Sequence, residues 1–224
     1  MVKKEGLSDI EKFLESVNKD LPGAMELELQ DIYKRGIFIP RGVGPGIAKK
    51  KYALIDLKGN LMIRGLEKVR RDWSKLARDT QEKVLRFVLE KKDVKSAVDY
   101  VKKIIDDLRK HKVDLKSLTI YEQLTRPLEE YKAVGPHVIA AKKMRERGRP
   151  IGAGMVIMFV ITKGKGSISE RAEPVEDVEL KSIDEDYYIT HQIIPAALRV
   201  LTVLGVTQEE LLGKRVKGLK AFVN

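Results

Sequence analysis

The spacing of apolar residues changes once along this chain, near Trp73, and that change limits the folds open to it. Before it come short alternating runs: Met25-Glu-Leu-Glu-Leu29, Ile37-Phe-Ile39, Tyr52 to Asp56 and Leu61 to Ile63. Alternation puts every second side chain on one face, so each run predicts a strand. After it, Trp73, Leu76, Ala77, Thr80, Val84, Phe87 and Val88 recur at helical spacing. Val94, Ala97, Val98, Val101, Ile104, Ile105 and Leu108 then do the same. The short Lys91-Lys-Asp93 link predicts an antiparallel helix pair. Strands first and helices afterwards describe an α+β chain with an antiparallel sheet, its boundary at residues 71–73.

The other elements follow from local signals. An amphipathic helix is expected over residues 7–19, with Ser8 as N-cap and Glu11 completing a capping box. Lys34-Arg-Gly36 reads as a turn, residues 41–48 as a glycine-rich loop, and Leu57-Lys-Gly-Asn60 as a hairpin turn. Strands are expected at 118–124 and 155–162, a helix at 136–147 and a loop at 163–178. Residues 184–204 read as one long helix, kinked at Pro195. Gly205 ends it, and a short helix from Thr207 leads to a basic tail.

Net charge is +11 over 224 residues. Such an excess favours a polyanionic partner, nucleic acid before membrane surface. Cysteine is absent, which excludes disulfides, thiolate zinc sites and cysteine nucleophiles. No apolar run approaches the roughly 18 residues of a membrane span, and the N-terminus lacks the apolar core of a signal peptide. A cytoplasmic, nucleoid-associated protein without membrane contact is the expectation.

Several patterns invite a catalytic reading and fall short. Gly42, Gly44 and Gly46 have neither dinucleotide spacing nor a Gly-Lys-Ser/Thr ending. Asp184-Glu-Asp186 sits where carboxylates cap a helix. Asp106 and Asp107 do not share a helical face. His111, His137 and His191 lack metal-ligand spacing. His137 lies at a helix start near Lys132, Lys142 and Lys143, where either a structural role or phosphate docking is open. Spacing alone therefore describes a basic two-part chain for nucleic acid, with no complete catalytic constellation.

A series of segments resembles the C-terminal part of family B DNA polymerases, especially the archaeal ones. It runs from Leu21-Pro-Gly23, Glu26-Leu-Glu28 and Tyr33-Lys-Arg-Gly36 through Lys49-Lys-Lys-Tyr-Ala-Leu-Ile-Asp56, Arg64-Gly-Leu-Glu67 and Val69-Arg-Arg-Asp-Trp73. It continues with Leu124-Thr-Arg126, Tyr131-Lys132, Gly135-Pro-His-Val138, Ala141-Lys142, Arg147-Gly148, Arg171-Ala172, Asp186-Tyr-Tyr188, Gln192 and Pro195. The resemblance implies that residues 1–72 are the C-terminal part of a polymerase palm, 73–212 a thumb, and 213–224 a tail. The family's two metal-binding aspartate motifs are absent from this sequence. The chain thus looks like a small subunit of a split, heterodimeric polymerase, or a fragment cut at a convenient boundary. A larger partner chain would then carry the aspartates and most of the Mg2+ ligands. The alternative is a non-catalytic or regulatory DNA-binding protein derived from the same fold.

The same resemblance implies roles for particular residues. Lys50 and Tyr52 match a Lys-x-Tyr motif facing primer–template DNA, and strand alternation would put them on one face. Arg64, Arg70 and Arg71 resemble residues at the primer end, while Trp73 reads as core. Thr125, Arg126, Lys132, His137 and Lys142 would contact phosphates in the thumb. Glu28 resembles a glutamate near the metal site, although Gln30 stands where archaeal relatives often have a second one.

The tail Val216-Lys-Gly-Leu-Lys-Ala-Phe-Val223 resembles a sliding-clamp-binding peptide. Leu219, Phe222 and Val223 fit its plug positions, and Val216 replaces the usual leading Gln. Deleting residues 219–224 is expected to abolish clamp-stimulated synthesis by the assembled enzyme and to leave basal synthesis intact. Undiminished clamp stimulation in a primer-extension assay would overturn that assignment.

Overall fold

The computed structural model describes residues 4–41 and 46–213. Helix α1 (Lys4–Asp20) starts earlier than expected, so Ser8 lies inside it rather than at its cap. The strand expected at 25–29 does not form: residues 25–32 run on without a ladder partner. A strand needs a neighbour to take its N–H and C=O groups, and the Asn18 side chain serves here at one position. Its Nδ2 donates to the Leu27 carbonyl at 3.0 Å and its Oδ1 accepts from the Leu27 N–H at 2.8 Å. Met25, Leu27 and Leu29 stay exposed.

Strands β1 (Tyr33–Pro40), β2 (Ile47–Asp56) and β3 (Leu61–Arg64) form an antiparallel sheet in the order β1-β2-β3. Lys34-Arg-Gly36 is therefore strand rather than turn. Gly36 is required there by Leu54, whose Cδ2 would lie 2.5 Å from an added Cβ. Tyr52 pairs with Phe38, but Ile47 already pairs with Pro40. A step of two residues on β1 is thus matched by a step of five on β2, and residues 48–51 form a wide bulge. Lys50 lies in it at φ 59°. Gly65, at φ +65°, passes so close that a Cβ would sit 2.3 Å from the Lys50 carbonyl oxygen. The β2–β3 hairpin closes on Asp56, which accepts from the Lys58 and Asn60 amides and the Asn60 side chain at 2.7–2.8 Å. Burial works against the charged Asp56 carboxyl, but these bonds hold its pKa below the ordinary value.

Ile37, Ile39, Ala53 and Ile55 point to one face of the sheet and join Leu66, Val84, Leu85 and Leu89 in a single continuous core. Helix α2 (Lys75–Arg86) begins at Ser74, whose Oγ accepts from Ala77 N, and runs into a π-helical turn, Phe87–Lys91. Asp93 caps α3 (Val94–Arg109), which packs on α2. Trp73 is half-buried and lies outside the core. Asp114 caps a short helix, α4 (Leu115–Leu118), that shortens the strand expected at 118–124 to β4 (Ile120–Gln123).

Helix α5 (Pro136–Glu146) packs on β5 (Val156–Ile161) and on β6 (Ala172–Pro174), a short strand inside the expected loop. These strands form the second antiparallel sheet, β4-β5-β6. The last long helical stretch is composite: α6 (Glu185–Tyr187), a π-helical turn Tyr188–Ile193, then α7 (Ile194–Leu201). Ile194 N–H reaches back five residues to Ile189 O. The widened turn precedes Pro195, which has no N–H to continue an α-helical ladder. Helix α8 (Gln208–Leu211) follows.

The contact at Gly65 yields a prediction. Gly65→Ala is expected to destabilise the protein by about 1–3 kcal/mol, because alanine resists a positive φ and meets the Lys50 carbonyl. Denaturant unfolding checks this; an unchanged midpoint would show that the bulge does not depend on the close approach.

Candidate nucleic-acid interface

The sheet face opposite the core carries a row of three side chains. Tyr52 pairs with Phe38 on one side and with Arg64 on the other. The Phe38 and Tyr52 rings are 5.8 Å apart, and Phe38 and Arg64 are exposed. Two aromatic rings beside a guanidinium offer flat contact area and positive charge together. Phe38 was not singled out from the sequence, where it reads as one residue of an apolar run; only strand register places it beside Tyr52. Lys50 does not join this row by simple alternation, as the sequence suggested, because its left-handed backbone and the bulge break the period. Lys49 and Lys50 are instead exposed on the bulge, with Lys51 half-buried.

After β3 a connector crosses to α2. It begins with a 3-10 turn, Glu67–Val69, and carries Arg70, Arg71 and Asp72. Arg70 Nε donates to Asp72 Oδ1 at 3.0 Å, and its Nη2 contacts Asp72 Oδ2. The hydrogen bonds to Asp72 raise the Arg70 pKa above its ordinary value, so Arg70 arrives already partnered. Arg71 is exposed.

The connector is held from below by buried side chains. Glu67 is 4% exposed and Gln81 fully buried. Gln81 Nε2 donates to Glu67 Oε2 at 2.6 Å and to the Ala196 carbonyl at 2.8 Å, while its Oε1 accepts from Lys68 N at 2.8 Å. Arg199 Nε donates to Glu67 Oε1 at 3.1 Å. At the far end, Gln192 Oε1 accepts from Ser74 N at 2.9 Å. Sequence reasoning quoted Glu67 and Gln192 within the resembling segments without a role and passed over Gln81 and Arg199. Partners up to 132 residues apart leave no local signal.

Arg71 and Asp72 line a cleft of about 540 Å3 together with Arg78, Tyr121, Glu122, Gln123 and Val156. The cleft joins the connector to β4 and so to the loop beyond it. In that loop Tyr131 organises the others. Its hydroxyl accepts from Thr125 N at 2.8 Å, and the Arg126 guanidinium sits 5.4 Å from its ring centre. Hydrogen bonding with Thr125 lowers the Tyr131 pKa. The ring meets His137 edge-on at 5.7 Å. His137 Nδ1 is buried without an aligned hydrogen bond, although Glu122 Oε1 lies 3.1 Å away. His137 is thus turned toward Tyr131 and Glu122. Lys132 is exposed and Lys142 half-buried.

Among the described residues no ion pair involves Lys49, Lys50, Lys51, Arg64, Arg71, Arg126, Lys132 or Lys142. By contrast Lys143, Arg145, Arg147, Arg149 and Arg171 are each paired with carboxylates. Glu28 lies exposed in the unpaired 25–32 segment. No group of three His, Cys, Asp or Glu among the described residues could hold a metal ion, so Glu28 does not gather an acidic site around it. Leu219, Phe222 and Val223 lie outside the described residues. No described helix is long and apolar enough to cross a membrane.

Comparison with known proteins fits this geometry. A family model described as DNA polymerase family B matches residues 4–204. The DNA polymerase of Pyrococcus glycovorans is 44% identical over 217 residues, covering 95% of this chain and 27% of that protein. That of Thermococcus kodakarensis is 42% identical over 226 residues, covering 99% of this chain and 13% of that protein. The solved structure of the family B DNA polymerase from the hyperthermophilic archaeon Pyrobaculum calidifontis superposes with a TM-score of 0.69 at 37% identity, covering 89% of this chain and 25% of that one. The chain therefore spans 13–27% of the length of these relatives. With the family model matched from residue 4 to residue 204, the chain belongs to DNA polymerase family B.

Proposed function

We propose that this chain is the small subunit of a DNA-directed DNA polymerase, and that it binds and aligns primer–template DNA. In this reading residues 1–72 complete the C-terminal part of a palm and residues 73–212 form a thumb. The observation that carries the DNA-aligning role is the open sheet face, where Phe38, Tyr52 and Arg64 stand side by side, in a chain whose relatives over almost its whole length are DNA polymerases. A larger partner chain would bear the metal-binding aspartates. Mg2+ is the ion the family implies, and the residues described here do not fit it on their own, since Glu28 has no companion acids around it. The contribution of this chain is grip and alignment.

Cations outside the ion pairs of the described residues suit that task. Lys50, Arg64, Arg71, Arg126, Lys132 and Lys142 offer positive charge for phosphates, which carry no sequence information. Tyr52, beside Phe38, adds ring surface for sugar or base. Thr125 and His137 serve through Tyr131, which orients the Arg126 guanidinium. The C-terminal residues Leu219, Phe222 and Val223 would dock on a sliding clamp.

Two measurements test this. Arg126→Ala is expected to weaken duplex binding about 3- to 10-fold on every template and to reduce the salt slope of log K by about 0.9, the loss of one phosphate contact. A loss confined to particular sequences would argue for base reading instead. In primer extension the chain alone should incorporate nothing. Co-expressed with the aspartate-bearing polymerase chain of its own organism, it should support synthesis. Extension by the isolated chain would sink the split-enzyme reading. Tight binding to an inactive assembly would favour a regulatory DNA-binding role.

A further inference from the structure

The connector that carries Arg70 and Arg71 is held to α2 at its first turn, where Lys68 pairs with Asp79 at 3.1 Å and with Glu82 at 2.6 Å, but the residues after that turn have little burial. Val69, Arg70 and Arg71 are exposed, and Asp72 and Trp73 are half-buried. Yet both of its ends are tied to the helices beneath by buried amide side chains. Gln81 makes three hydrogen bonds to three different backbone or side-chain partners, Lys68 N, Glu67 Oε2 and Ala196 O. Every lone pair and proton used there is directed at the first turn of the connector or at α7. Gln192 is 5% exposed, accepts from Ser74 N and donates to the Tyr187 hydroxyl at 3.3 Å. It does so from a π-helical turn.

We infer that Gln81 and Gln192 are positioning residues for DNA, a pair of internal ties that hold Arg71 over the cleft and set the sheet against the helices. The inference rests on the reading of this chain as a DNA-gripping subunit. Gln81 is fully buried and Gln192 nearly so, and neither lines the cleft, so neither presents a side chain to DNA. Their effect reaches DNA through the backbone of residues 68–74. Glu67 is the anchor at the first tie: a buried carboxylate must be satisfied, and Gln81 with Arg199 does so from two different helices. If one tie is cut, the arginines keep their charge but lose their place. A residue that contacts phosphate and a residue that places one are then separable. A residue that acts only by placing Arg71 loses its effect once Arg71 is gone, so its loss and the loss of Arg71 do not add.

The test is anisotropy binding of the full chain to a primer–template duplex over a range of salt. Gln192→Met removes the acceptor for Ser74 N and is expected to weaken binding about fivefold in the parent and by less than about 1.5-fold in an Arg71→Ala background. Arg199→Met cuts the half-exposed arm of the other tie without opening the core, and should likewise weaken binding in the parent and not in the Arg71→Ala background. Arg71→Ala should lower the slope itself. If Gln192→Met is folded and binds as the parent does, or if its loss of affinity adds in full to that of Arg71→Ala, the inference is wrong. If Gln192→Met does not fold, parent-like binding by Arg199→Met overturns it. Failure of the parent chain to bind duplex at any salt would instead strike at the DNA-binding reading on which this one stands.

Discussion

Glu67 is a charged group with almost no access to water, and the joint between the sheet and the helices is arranged around that fact. An isolated buried carboxylate costs several kcal/mol. Its neutralisation here draws in Gln81 from α2 and Arg199 from α7. Gln81 in turn bonds the backbone of both Lys68 and Ala196. The sheet cannot move away from either helix without exposing that debt of unsatisfied bonds. Two arginines add to the joint from the sides. Arg35, on β1, donates to the Leu89 and Glu90 carbonyls at the π-helical turn after α2. Arg86 reaches Gly59 O in the β2–β3 hairpin at 3.5 Å. The apolar core runs through the same joint, from Ile37 and Ile55 to Val84, Leu85 and Leu89. What looks in sequence like a boundary between two regions is, in space, a place where polar and apolar contacts are both dense.

Much of the fold could be read from pattern because pattern reflects burial. The period-two runs at 37–39 and 53–55 and the helical runs of α2 and α3 put their apolar residues in the core as expected. Where the reading failed, tertiary partners decided. Residues 25–29 alternate as well as any strand, but alternation cannot say whether a neighbour is present. Lys34-Arg-Gly36 has turn composition, yet its glycine answers to Leu54 across the sheet. Residues 48–51 look like strand, while register expels them as a bulge. At Pro195 the long helix is interrupted by a widened turn just before the proline.

The candidate site divides the same way. Residues whose chemistry is visible by type, such as Tyr52, Arg64, Arg71 and Arg126, could be singled out from the sequence and its resemblance. Residues whose contribution is positional could not. Phe38 acquires meaning through its cross-strand partner, Gln81 and Gln192 through contacts with distant backbone, and Tyr131 through the loop folded over its hydroxyl. The wide bulge also changes the meaning of the lysine run. Lys50 is displayed by a left-handed backbone that Gly65 permits, so its reach is set by a contact 15 residues away in sequence and not by strand geometry.

The unpaired stretch held by Asn18 has a bearing on solubility. An extended segment with apolar residues at 25, 27 and 29 and open backbone groups is the kind of edge on which chains stack upon themselves. Glutamates fill the intervening positions. If two copies paired antiparallel about Leu27, Glu26 of one would face Glu28 of the other. Pairing in parallel register would set each glutamate against itself. Either way like charges meet across the ladder, which disfavours the pairing. In both of these registers the segment disfavours pairing with its own copy.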